Sequence, residues 1–138
     1  MAPFPIACGA ILSGGSQTLS VTFTPTDTTD YATAVDSVAI TVKQAASTTA
    51  IGSGTPNPSV VGQPVMVNFT VSGTGGTPTG TVTVTSSTGQ TCSGTLSSGA
   101  GSCSLTFTAT GSPKLTAAYG GDSNFSNSTS AKFTQPVQ

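Results

Sequence analysis

The chain has 138 residues, enough for one domain, or for one domain and a fragment. Its charged side chains are four Asp and three Lys, with no Glu, Arg or His, and the formal net charge is −1. No basic surface is available to attract phosphates or anionic lipid, which excludes nucleic acid and membrane surfaces as partners. Without His, neither Ser-His-Asp nor Cys-His catalysis can be assembled within one chain.

Ser and Thr fill the polar positions, good helix formers are scarce, and 17 Gly and nine Pro punctuate the chain. Short β-strands are the expected element. Residues 1–8 read as a tail. The opening MAPFPIACGAIL has neither a basic segment nor a long apolar core, so it is not read as a signal peptide. No apolar run approaches about 18 residues, so no membrane-spanning helix is expected.

Residues 9–44 hold two or three strands. Leu19, Val21 and Phe23 alternate with polar residues, a loop carries Asp27 and Asp30 before Tyr31, and Val38-Ala39-Ile40-Thr41-Val42 follows. Lys43-Gln44-Ala45-Ala46 reads as a linker. From residue 45 a complete domain is expected. Ser47 to Ile51, with Ser59 to Val61 beyond Pro56 and Pro58, supplies an opening strand broken in two. Val65, Val67, Phe69 and Val71 then alternate with Met66, Asn68 and Thr70, a period-2 strand with one buried face. Thr81 to Thr85 places two valines on one face and three threonines on the other.

Gln90 to Leu96 and Gly101 to Thr108 are expected to form a hairpin around Ser97-Ser98-Gly99-Ala100. Cys92 and Cys103 then oppose each other on its arms, where a disulfide can form. Closing so short a loop contributes about 2–3 kcal/mol and suits an oxidising compartment. Cys8 is left over. Lys114 to Tyr119 is the next strand, Gly120 to Asn124 a loop, and Ala131, Phe133 and Val137 the last strand. About seven short strands with turn signals every 8–12 residues describe an all-β, immunoglobulin-like antiparallel β-sandwich, preceded by a partial repeat.

The partial repeat matches the end of the complete domain. Gly15-Ser16-Gln17-Thr18-Leu19 corresponds to Gly111-Ser112-Pro113-Lys114-Leu115, and Leu19, Val21 and Phe23 correspond to Leu115, Ala117 and Tyr119. Together with Pro58-Ser59-Val60-Val61-Gly62-Gln63-Pro64-Val65, Pro78-Thr79-Gly80-Thr81-Val82 and Tyr119-Gly120-Gly121-Asp122-Ser123-Asn124-Phe125, these motifs resemble the bacterial Ig-like repeats of large secreted or surface-anchored proteins. That resemblance implies a spacer, adhesion stalk or accessory module outside the cell, and gives the motif residues structural roles.

Candidate chemistry is sparse. Asp27 and Asp30 share one loop, and Asp122 and Asn124 another; these are weak calcium candidates without a recognisable calcium-loop spacing. Asp at turns more often holds the backbone through local hydrogen bonds. Tyr31 and Tyr119 are the candidate platforms for a sugar ligand, although their places beside the Asp loops favour core or corner packing. No catalytic motif, resident metal or cofactor is expected. Two or three strands cannot bury both faces of a sandwich, so residues 9–43 either pack on residues 46–138 or pair with another chain, and a homodimer or higher assembly through them is expected. Polysaccharide is the alternative partner, and an atypical hydrolase using Asp, Ser or Lys the least favoured reading.

Overall fold

The computed structural model describes residues 11–138; Cys8 and the tail at residues 1–8 lie outside them. The chain divides into two compact units, Met1–Gln44 and Ala45–Gln138. No helix occurs among the described residues.

The second unit contains β3 (Ser47–Thr55), β4 (Pro64–Gly73), β5 (Thr81–Ser86), β6 (Thr91–Thr95), β7 (Ala100–Thr106), β8 (Lys114–Tyr119), β9 (Ser128–Thr129) and β10 (Phe133–Thr134). Two sheets form. One has the order β3-β4-β7; the other has the order β10-β8-β5-β6, with β9 also on β8. Every strand ladder is antiparallel. These are the packed sheets of an immunoglobulin-like sandwich. Alternation places the core: Val65, Val67, Phe69 and Val71 of β4 face Val82 and Val84 of β5 and Leu115, Ala117 and Tyr119 of β8, all buried in one cluster with Leu105 and Phe107. The intervening threonines of β5 stay exposed.

Three departures from the sequence pattern have local causes. The opening strand does not stop at Ile51. It continues to Thr55 through a register shift between Ile51 and Ser53, at Gly52-Ser53-Gly54, where no apolar alternation marks a strand. Ser59 forms an isolated parallel bridge with Val137. Its N–H donates to Pro136 O at 3.0 Å, and Gln138 N–H returns to Ser59 O at 2.8 Å. The final strand is interrupted, because Ser130, Ala131 and Lys132 oppose only Thr116 and Ala117 between the β9 and β10 pairings. Ser130 holds this bulge with its N–H to Ala117 O (2.8 Å), while its hydroxyl oxygen accepts the Ala117 N–H (2.9 Å).

The third departure concerns the hairpin expected around Ser98. The turn itself forms. Ser97 and Ala100 exchange N–H···O bonds of 2.8 and 3.1 Å, and Ser98 and Gly99 both take positive φ, 53° and 77°, as a two-residue hairpin turn requires. Its arms nevertheless part into different sheets, β6 pairing with β5 and β7 with β4. Local pattern specifies the turn, but the ladder partners of each arm are set by the buried faces of β4 and β5.

The first unit contains β1 (Gly15–Phe23) and β2 (Ala34–Val42), paired antiparallel from Gly15↔Val42 to Phe23↔Ala34. Residues paired across the ladder share a face. One face therefore carries Leu19, Val21, Phe23, Val38, Ile40 and Val42, with Asp36 opposite Val21 and Gln17 opposite Ile40, and the other is mostly Ser and Thr. Neither strand has a buried residue.

Candidate functional site

The two Asp loops are built alike. In the complete unit, Asp122 Oδ1 accepts the N–H groups of Asn124 and Phe125, both at 2.8 Å. In the partial repeat, Asp27 Oδ1 accepts those of Thr29 (3.0 Å) and Asp30 (3.4 Å). Both are turns in which a carboxylate stands in for a backbone acceptor. Asp122 goes further. Its Oδ2 accepts both the N–H and the hydroxyl of Thr79, at 2.9 and 3.0 Å, and ties the loop after β8 to the segment entering β5. Among the described residues, the second oxygen of Asp27 has no such bond.

Burial of the Asp122 carboxylate pushes its pKa up. The hydrogen bonds from Thr79, Asn124 and Phe125 outweigh that and bring it from 3.8 to about 2. An ion at Asp122 would have to displace these bonds. Among the described residues, no three His, Cys, Asp or Glu side chains gather to hold a metal. Asp30 meets Asp27 through its backbone N–H.

The aromatic candidates separate. Tyr119 is 2 % exposed, and its hydroxyl donates to Thr79 O at 2.7 Å. This is the core packing that its place beside the Asp loop favours, and it removes Tyr119 as a ligand platform. Burial and the neighbouring Asp122 raise its pKa. Phe125 is also buried, whereas Tyr31 is 63 % exposed and departs from the core packing expected of it. The repeat places Tyr31 beside its Asp loop, but among the described residues β1 and β2 form a two-stranded sheet and Tyr31 stays uncovered.

Cys92 and Cys103 are joined, with Cα atoms 5.7 Å apart. Because β6 and β7 belong to different sheets, the bond is an inter-sheet staple and not a rung within one hairpin ladder. Two glycines let these edges approach. A Cβ on Gly101 would lie 2.8 Å from Thr95 O and 3.1 Å from Phe69 Cζ, and one on Gly94 would collide with Ser102 O. Those glycines were the legible signal of a close crossing, and Thr79 is the structural residue that pattern reading missed.

A shallow cleft of about 400 Å³ lies beside Ser87, Thr88, Gln90, Thr108 and Thr110. No ionisable side chain lines it, and Thr88 is already bonded to Ser86 and Gln90. The apolar face of β1–β2 is the more distinctive surface. Val21, Phe23 and Val38 are 67, 58 and 57 % exposed, and a groove of about 190 Å³ runs past Leu19, Val21, Asp36 and Val38. Leu115, Ala117 and Tyr119, the repeat counterparts of Leu19, Val21 and Phe23, are all but fully buried.

Residues 45–138 match the bacterial Ig-like domain (group 3) family. The chain belongs to this family. Comparison with curated proteins and with solved structures finds no match. Domains of the bacterial Ig-like family are generally non-catalytic and typically occur in exported or surface proteins. The family assignment covers the complete sandwich and leaves β1–β2 outside the matched residues.

Proposed function

We propose that this Ig-like chain is a structural and adhesive module of a secreted or surface-exposed bacterial protein. It works by spacing and by protein contact, and it associates with a second copy through the partial repeat. One observation carries this reading: Val21 and Phe23 are exposed on the apolar face of β1, while their counterparts Ala117 and Tyr119 in the complete repeat are core. An edge-open, two-stranded unit with an uncovered apolar face is marginal alone and favours pairing. The disulfide agrees with an oxidising compartment.

Sedimentation across a wide concentration range tests the association. A concentration-dependent dimer or larger species is expected, and Val21→Asp with Val38→Asp returns it to monomer. A monomer at every concentration sinks the self-association.

Accessory binding of polysaccharide is the second reading, favoured by the exposed ring of Tyr31. Pull-down on insoluble polysaccharide, lost in Tyr31→Ala, would support it.

A further inference from the structure

We infer that β1 is a strand acceptor: its outer edge takes an extended, uncharged segment of another Ig-like repeat, alternating Val with Thr. The segment runs antiparallel to β1 in the register with which β5 lies on β8. This rests on the reading of β1–β2 as a protein-contact surface and names what that surface takes.

The complete unit shows the interface in full. β8, the counterpart of β1, is paired on both edges, by β5 on one and by β9 and β10 on the other. β2 returns antiparallel on β1 as β9 and β10 return on β8. At the two ends of the hairpin the correspondence is residue for residue. Leu19 pairs with Val38 as Leu115 pairs with Phe133, and Phe23 pairs with Ala34 as Tyr119 pairs with Ser128. The Asp turn that follows each strand uses the same two backbone bonds. The remaining edge of β1 is the one that β5 occupies on β8, and among the described residues no strand pairs there.

The register follows. Val82 pairs with Tyr119, Val84 with Ala117 and Ser86 with Leu115. Transposed to β1, one valine of the added strand lies opposite Phe23 and the next opposite Val21, with a small polar residue opposite Leu19. Both valines then fall on the apolar face and the threonines on the Ser/Thr face. Electrostatics agree, since neither β1 nor β5 contains a charged residue, and Asp36 of β2, the charge on this face, lies across Val21 from the added strand. Main-chain hydrogen bonds supply the affinity of such strand addition, and alternate side chains supply its selectivity.

The test uses the full chain and a labelled synthetic peptide of residues 79–88, TGTVTVTSST. Binding by fluorescence anisotropy is read together with amide hydrogen exchange. The expected result is saturable binding that slows exchange along Gly15–Phe23. It should weaken by about tenfold or more in Val21→Asp, which places a charge where a valine must pack. It should also be absent for a peptide with its Val and Thr positions interchanged, which would turn the valines to the wrong face. Unchanged exchange on β1, protection confined to β2, or equal binding of the interchanged peptide overturns the inference. Self-association that persists while the peptide leaves β1 unprotected defeats the strand acceptor alone. A chain that neither self-associates nor binds the peptide defeats the protein-contact reading with it.

Discussion

Tyr119 donates its buried hydroxyl to the backbone carbonyl of Thr79 at 2.7 Å, joining residues 40 apart in sequence. Thr79 in turn gives its N–H and its hydroxyl to Asp122. Three residues thus hold the end of β8 to the start of β5. Removing only the phenol oxygen, in Tyr119→Phe, keeps the ring in the core and leaves the Thr79 carbonyl without this donor. A loss of about 1 kcal/mol in urea unfolding is expected. Tyr31→Phe, at an exposed ring, is the control and should leave the midpoint unchanged.

Asp122 makes the complete unit acid-sensitive. Its folded pKa of about 2 lies below the ordinary 3.8, so on acidification the unfolded chain takes up this proton first. Its stabilisation is whole above pH about 4 and is lost as the pH falls toward 2. Because Asp122 is only half-buried, solvent screening leaves roughly 1 kcal/mol. Thermal melts of wild type and Asp122→Asn at intervals from pH 7 to 2 measure this. The variant should melt lower at pH 7 and lose less on acidification. Parallel curves would place the acid sensitivity elsewhere.

The crossing of β6 and β7 depends on the absence of a side chain at Gly94. Gly94→Ala would drive its methyl into Ser102 O and to 2.9 Å from Phe69 Cζ. Neither the backbone nor a core ring can step aside without moving a sheet edge. A cost of about 1–3 kcal/mol is expected from differential scanning. Gly120→Ala, with nothing within 4 Å of the added methyl, should be close to neutral.

The inter-sheet staple contributes through the unfolded state. Cys92→Ser with Cys103→Ser should lower unfolding free energy by about 2–3 kcal/mol while far-ultraviolet circular dichroism stays native. Reductant should lower the urea midpoint of the wild type and leave that of the double variant alone. A reductant effect of equal size in both would show that the staple is not its source.

Alternation made β4, β5 and β8 legible because each has one fully buried face, and period 2 is a direct record of such a face. It made the partners of β6 and β7 illegible, since a turn at Ser98-Gly99 is compatible with arms that pair and with arms that part. The pairing of Cys92 with Cys103 came out correctly either way, because the close crossing keeps opposite positions near each other. Tyr31 and Phe125 hold equivalent places after their Asp loops, yet one is exposed and the other is core. Burial depends on a second sheet that the local sequence does not describe. Gln135 is fully buried although it is polar. Its amide donates to Pro56 O at 2.9 Å while its Oε1 fills the space that a side chain at Gly54 would need, an arrangement no periodicity announces.

The parallel bridge of Ser59 with Val137 has a consequence under load. Ser59 N–H to Pro136 O, Gln138 N–H to Ser59 O and Val61 N–H to Gln138 O lie side by side between two segments that run the same way. When Ala45 and Gln138 are drawn apart, those segments slide past each other, so the three bonds are strained together and do not open one at a time. The 11-residue span closed by Cys92 and Cys103 cannot pay out as slack. The sandwich is thereby built to resist being drawn out between Ala45 and Gln138.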